Sequence, residues 1–274
     1  MNIQRLIITI FAGLCFFVNA VLAEDKFITI GATTSAYDSG LLPKIRTAYL
    51  KQTGVDLKLV IKGTGRVLDI ARRGDLDALL VHDLASEQAF ITDGFADARH
   101  ELMYNDFVVV GPKSDPAQIR HSKIFDALDK IANTPALFAS RGDNSGTHKA
   151  ELRLWEAAGL TPTNFSAHWY KQLGSGMGAT LNTSAALGAY TLSDRGTWLA
   201  FNNKQDMEVL VSDYPVLRNV YAFMVVSENK FPTTKAKLAH DFKDWLLGPK
   251  GQNLIDEFRL MEQQLFFPLR PKAQ

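Results

Sequence analysis

Phe27-Ile28-Thr29-Ile30 is a short apolar run; after the polar stretch Gly31 to Ser39, apolar positions Leu41, Leu42, Ile45, Ala48 and Tyr49 recur at helical spacing. The run predicts a buried strand and the i, i+3/i+4 recurrence a helix face, with Pro43 tolerated in the first turn and Gly54 as its stop. The unit then repeats. Val55, Leu57, Leu59 and Ile61 alternate as a second strand, and Gly63-Thr64-Gly65 leads into a helix bearing Val67, Leu68, Ile70 and Ala71. Ala78 to Val81 predicts a third strand, followed by His82-Asp83 and a helical stretch ending near Gly94.

Phe107 to Val110 predicts the next strand, and Gly111-Pro112-Lys113-Ser114-Asp115-Pro116 is the densest turn composition in the chain, where a crossing into a second lobe is expected. Ala136 to Ala139 opens a second strand-loop-helix series through Trp155, with later units around Ala189 to Leu192 and Val209 to Val211. A return crossing fits between Asp213 and Asn219, before a strand at Tyr221 to Val226 and a helix with the stripe Leu238, Phe242, Trp245 and Leu246. The helical tail Gln252 to Phe258 is expected to pack back on the first lobe. The predicted class is α/β: two lobes, residues 24–111 with 217–274 and residues 112–216, each a parallel sheet flanked by helices. Loops at the carboxyl ends of the strands then face a shared cleft, where ligands bind.

Residues 1–23 stand apart from this pattern. Arg5, the apolar run Leu6 to Val18 and the small-residue ending Val21-Leu22-Ala23 form a secretory signal peptide, and Glu24-Asp25-Lys26 starts the mature chain. Cys15, the only cysteine, lies in that run, so the exported protein carries no thiol; disulfides and cysteine metal sites are excluded. The full chain of 274 residues is 46% hydrophobic, which excludes disorder, and has 30 basic against 29 acidic side chains. Removing Arg5 leaves 29 of each, so nothing in the bulk charge favours nucleic acid or an acidic membrane surface. A charged partner must be recognised locally.

Ser140-Arg141-Gly142-Asp143-Asn144-Ser145-Gly146-Thr147-His148 follows a strand and precedes a helix. Ser145 sits at the helix N-cap, and the position three residues on, which often carries the Glu or Gln of a capping box, is His148. The positive helix end is left without a built-in anion. Gly146 allows close backbone approach, Ser145 and Thr147 add hydroxyls, and Arg141 supplies a planar fork of donors, a set suited to a tetrahedral oxyanion. An ordinary capped helix beside a surface arginine is the plainer reading of Ser-Gly-Thr alone. Thr33-Thr34-Ser35 after the first strand and Thr64 within Gly63-Thr64-Gly65 after the second are parallel junctions, and three converging on one cleft exceed what capping explains.

These segments, with Tyr104-Asn105-Asp106-Phe107, Gly178-Ala179-Thr180-Leu181-Asn182, Ala189 to Thr197 and Gln263-Gln264-Leu265-Phe266, resemble the TupA-type tungstate-binding proteins of ABC transporters, class II substrate-binding proteins. The likeness spans nearly the whole mature chain, and the Arg141 to Thr147 spacing is also similar to the anion loop of periplasmic phosphate-binding proteins. The resemblance implies a two-lobed periplasmic binding protein with two crossover strands, a monomer that closes on tungstate, or less strongly molybdate, and delivers it to an inner-membrane permease. It implies no enzyme activity and no cofactor. The ligand set expected is Thr33, Thr34, Ser35, Thr64, Arg141, Ser145, Gly146 and Thr147; the family's Thr-Thr-Thr-Ser motif begins here with Ala32.

Tungstate carries two charges and no proton at neutral pH, so its site should offer donors and no carboxylate, whereas a phosphate site needs an acceptor. Asp83 is the one obvious acceptor candidate, with helix capping as its competing role, and Asp143 reads as orienting Arg141 or capping its own turn. Arg141 offers one charge against two; helix dipoles add up to ~2 kcal/mol each and charge-assisted hydrogen bonds about 1.5–3 kcal/mol each. Together these support nanomolar binding, about −12 kcal/mol. Alternatives are a phosphate or sulfate receptor of the same fold and a serine hydrolase built on Ser145 and His148. The latter lacks a G-x-S-x-G elbow. The remaining histidines lack metal-ligand spacing, and Gly174-Ser175-Gly176-Met177-Gly178 lacks the phosphate-loop lysine and reads as cleft backbone or hinge.

Overall fold

The structure is a computed structural model that describes residues 26–269; the predicted signal peptide lies outside them. The first series is β1 (Phe27–Ala32), α1 (Thr34–Asp38), α2 (Leu41–Thr53), β2 (Asp56–Ile61), α3 (Thr64–Ala71), β3 (Ala78–Val81) and α4 (Leu84–Thr92). β4 (His100–Pro112) leads to α5 (Ile124–Asn133), β5 (Phe138–Ser140), α6 (Gly146–Ala157), β6 (Tyr170–Gln172), α7 (Met177–Leu187), β7 (Thr191–Asp194), α8 (Arg195–Ala200) and β8 (Met207–Val211). β9 (Arg218–Val225) returns the chain to α9 (Ala236–Leu247), α10 (Pro249–Asp256) and the short strands β10 (Arg259–Leu260), β11 (Gln263–Gln264) and β12 (Phe267–Pro268).

β1 pairs in parallel with β2 and β3, as the repeated strand-loop-helix units predict. β5 likewise pairs in parallel with β6, but the expectation of wholly parallel sheets is corrected elsewhere: β9 runs antiparallel to β3 and β4, and β4 antiparallel to β7 and β8. β4 is also longer than its apolar run. His100 to Asp106 pair with β9, whereas Phe107 to Val110 pair with β7 and Val109 to Pro112 with β8. The partners of β4 thus change between Asp106 and Phe107, ahead of the crossing expected after Gly111. The side chains account for this: Phe107 and Val109 join one core with Trp155 and Tyr190, while Val108 and Val110, on the other face, join Trp198.

In the first half, Ile28, Ile30 and Leu80 point to one face of the sheet and pack with Tyr49 of α2 and Phe242 of α9. Leu79 and Val81 point to the other and meet Val67 and Leu68 of α3 and Phe90 of α4. Tyr49 lies edge-on to Phe242 with ring centroids 4.7 Å apart; truncating Phe242 to Ala would cost roughly 3–5 kcal/mol. α2 stops where the sequence predicts, at Gly54, which takes the left-handed conformation (φ 71°) and returns its N–H to the Leu50 carbonyl at 2.9 Å. With the cores on both faces of each half, the strand ends and the loops after them are left to form the cleft between halves.

Candidate anion-binding site

A cleft of about 390 Å³ lies between the two halves, and five helices begin at its walls: α1 and α3 from the first half, α6, α7 and α8 from the second. The N-caps of α1, α3 and α7 (Thr33, Gly63 and Gly176) make no side-chain capping bond. Their first backbone N–H groups lack an intrahelical partner and carry the positive end of the helix dipole, a setting that favours an anion. Gly176, Met177 and Gly178, in the glycine-rich loop, line the cleft.

The Arg141 loop is built by its own residues. β5 ends at Ser140, and Gly142 (φ 61°) and Asn144 (φ 57°) turn the chain in the left-handed region before α6. Asp143 does both jobs expected of it: Oδ2 accepts from Arg141 Nη2 at 2.6 Å and Oδ1 from the Ser145 N–H at 3.2 Å. Although burial pushes the Asp143 carboxyl up, its bonds to Ser145 and Arg141 leave it below the ordinary value. Ser145 caps α6, its hydroxyl accepting from the His148 N–H at 3.3 Å. Arg141 is only 9% exposed, and its Nε is buried without a partner.

Across the cleft, Thr64 is fully buried and its Oγ1 also lacks a partner. A buried donor left unpaired costs about 1–3 kcal/mol, so two such atoms facing one cleft from opposite halves call for a ligand that satisfies both. Thr34, Ser35, Ser145, Gly146 and Thr147 line the same cleft. Ser35 also meets the Tyr221 hydroxyl at 2.7 Å. Thr33 is not among the lining residues. It is 2% exposed at the start of α1, with its hydroxyl 3.5 Å from that of Ser35, so seven of the eight expected residues share the cleft and Thr33 stands behind it.

Residues outside the expected set also line the walls: Asp38, Arg66, His82, Asp194 and Thr197. Burial pushes the His82 imidazole down to about 4, so it is neutral at pH 7. Asp194 is 3% exposed and caps α8, accepting from the Thr197 N–H at 2.8 Å and its hydroxyl at 2.6 Å. Burial pushes its carboxyl above the ordinary value against those bonds. A carboxylate-free wall is thus not what the chain builds, but both Asp194 oxygens already hold donors. Asp83, the acceptor candidate from sequence, is absent from this lining and caps α4 through the Ser86 N–H at 3.2 Å. Asp194 and Thr197 lie within the segment Ala189 to Thr197 that carried the family resemblance; His82 and Arg66 had no signal of their own, because each is a single residue beside a strand or helix end.

Beneath the loop, Glu151 of α6 is 3% exposed and accepts from Trp155 Nε1 at 3.2 Å and the Tyr170 hydroxyl at 2.7 Å. Burial pushes its carboxyl up to about 7. Among the described residues no group of His, Cys, Asp or Glu is arranged to hold a metal ion, and no helix is long and apolar enough to cross a membrane.

One curled sheet continued from the first half into the second through β4, with helix N-termini facing the cleft between the halves, fits a ligand-binding protein, and the chain belongs to the PBP superfamily, whose domain matches residues 22–250. Within it, the chain is 39% identical to the tungstate-binding protein TupA of Peptoclostridium acidaminophilum over 234 residues, covering 84% of this chain and 81% of that one. The tungstate-binding protein TupA from Desulfovibrio alaskensis G20 superposes with a TM-score of 0.80 at 39% identity, over 90% of this chain and 100% of that one. A structure described as the tungstate ABC transporter from Geobacter sulfurreducens gives 0.77, also at 39% identity, over 85% and 98%.

Proposed function

We propose that the chain is the periplasmic receptor of an ABC transporter, exported by cleavage after Ala23, that binds tungstate, and molybdate as a second ligand, between its two halves and hands it to an inner-membrane permease. The observation that carries this reading is the pair of buried, unpartnered atoms, Thr64 Oγ1 and Arg141 Nε, contributed by opposite halves to one cleft. The hydroxyls of Thr34, Ser35, Ser145 and Thr147 and the open ends of α3 and α7 supply the remaining donors. The Arg141 guanidinium alone does not balance a dianion, so Arg66 on the same wall, hydrogen bonds and helix ends provide the rest. The TupA names of the relatives select tungstate among tetrahedral anions. The protein acts as a monomer without a cofactor, and catalysis is no part of this reading: the His148 Nδ1 accepts from the Asn144 N–H at 3.1 Å and so is not positioned as a base for Ser145.

A phosphate receptor is the second reading, favoured by Asp194, a buried carboxyl on the wall whose oxygens each hold one donor from Thr197 and keep a second lone pair for the proton of hydrogen phosphate. A thermal-shift panel of tungstate, molybdate, sulfate and phosphate separates the two. Tungstate at 100 times its Kd should add about 2.7 kcal/mol of stability; stabilisation by phosphate alone would select the second reading.

A further inference from the structure

On the far side of His82 from the cleft, α6 of the second half lies against the start of α4 in the first. The Asp83 side chain is 1% exposed. Its Oδ2 accepts from the Ser86 N–H at 3.2 Å and from the Ser86 hydroxyl. Two cations from the opposite half reach it: Arg153 Nη1 lies 2.5 Å from Oδ1, and Lys149 Nζ lies 3.5 Å from Oδ2 and donates to Ser86 Oγ at 2.6 Å. Both cations are on α6, one turn apart, and the same helix starts at Gly146 against His82. Successive turns of α6 therefore meet His82, Asp83 and Ser86. Although burial opposes it, the Asp83 carboxyl is held below its ordinary value by Ser86, Arg153 and Lys149.

An exposed ion pair of this kind would carry little weight. Here the carboxylate is buried, so withdrawing α6 strips it of both cations and leaves a charge held only by its own helix cap. Because α6 begins with Ser145, Gly146 and Thr147, any movement of the helix moves the donors of the anion site. We propose that Asp83 is a positioning residue that clamps α6 to the first half and so sets how long the cleft stays closed on its anion. The clamp rests on the receptor reading for its ligand, yet its bonds form between the two halves themselves. It favours the closed arrangement whether or not an anion is bound, and ligand adds to that bias only through its preference for the closed state.

The test uses Lys149→Gln with Arg153→Gln, whose side chains are 24% and 51% exposed and whose loss should leave the cores intact. Tungstate dissociation is followed by stopped-flow chase, association by mixing, and the radius of gyration of ligand-free protein by small-angle scattering. The double variant should release tungstate at least tenfold faster, with association changed less than threefold, and its ligand-free radius of gyration should rise. Asp83→Asn should do the same, and adding Arg153→Gln to it should change the release rate less than twofold further. Release within twofold of wild type together with an unchanged radius overturns the clamp. If wild type binds no tungstate, the receptor reading fails, and the ligand-free radius decides the clamp alone: a rise supports it and no change overturns it.

Discussion

Gly146 and His82 touch across the cleft: a Cβ at position 146 would fall 2.8 Å from the His82 carbonyl oxygen and 2.6 Å from its ring Cε1. No L side chain fits there without moving backbone, so glycine at the start of α6 is what lets the second half seat on the first. Gly146→Ala should hold the halves apart and raise the Kd for tungstate tenfold or more, with the melting temperature changed by only a few degrees. Calorimetric titration beside a thermal melt checks both; unchanged affinity would mean that this contact is not part of the binding arrangement.

Arg141 is the only guanidinium of the anion loop, and it is oriented before any ligand arrives by its 2.6 Å bond to Asp143. Losing one or two charge-assisted bonds of about 1.5–3 kcal/mol each corresponds to at least tenfold and as much as a thousandfold or more in affinity. Arg141→Ala should therefore abolish high-affinity binding while leaving the fold cooperative, and wild-type-like titration of that variant would contradict the assignment.

How far the sequence reached differs between the fold and the site, for physical reasons. Period-two and helical patterns located the units from Phe27 to Val81, because each buries one face in a local core. They missed His100 to Asp106 of β4, whose mix of polar and apolar residues is set by pairing with β9 rather than by one buried face. Seven of the cleft-lining residues were legible because loop-to-helix junctions are local features. His82 and Arg66 were not, since their place on the wall depends on how two distant halves meet.

Thr33 and Thr34 are adjacent, but only Thr34 lines the cleft. Thr33→Val, which keeps the shape at a buried position, should leave the tungstate Kd within about threefold. Thr34→Val should raise it about tenfold, the equivalent of one lost hydrogen bond of ~1.4 kcal/mol. Titration of the pair checks this, and equal losses would put both hydroxyls on the ligand.

Glu151 and His82 give opposed pH dependences. Burial raises the Glu151 carboxyl from 4.5 to about 7, so between those values the folded chain keeps a proton that the unfolded chain has lost. Its stabilising contribution is complete below 4.5 and is lost as pH rises through about 7, at up to about 1.4 kcal/mol per pH unit. His82, lowered from 6.5 to about 4, contributes fully above 6.5 and loses that contribution as pH falls. The two slopes oppose each other where they overlap, so the Glu151 contribution is read as the difference between wild type and a Glu151 variant. Glu151→Gln, which keeps the acceptor for Trp155 and Tyr170, should melt close to wild type near pH 5 and clearly higher near pH 8. Parallel melting curves for the two proteins across this range would contradict the burial argument.

The most direct measurement is a crystal grown with tungstate and recorded at a wavelength where tungsten scatters anomalously. One strong peak is expected between the halves, with ligand oxygens within hydrogen-bond reach of both Arg141 Nε and Thr64 Oγ1. A peak seated elsewhere, with those two atoms still unpaired, would contradict the assignment of this cleft as the anion site.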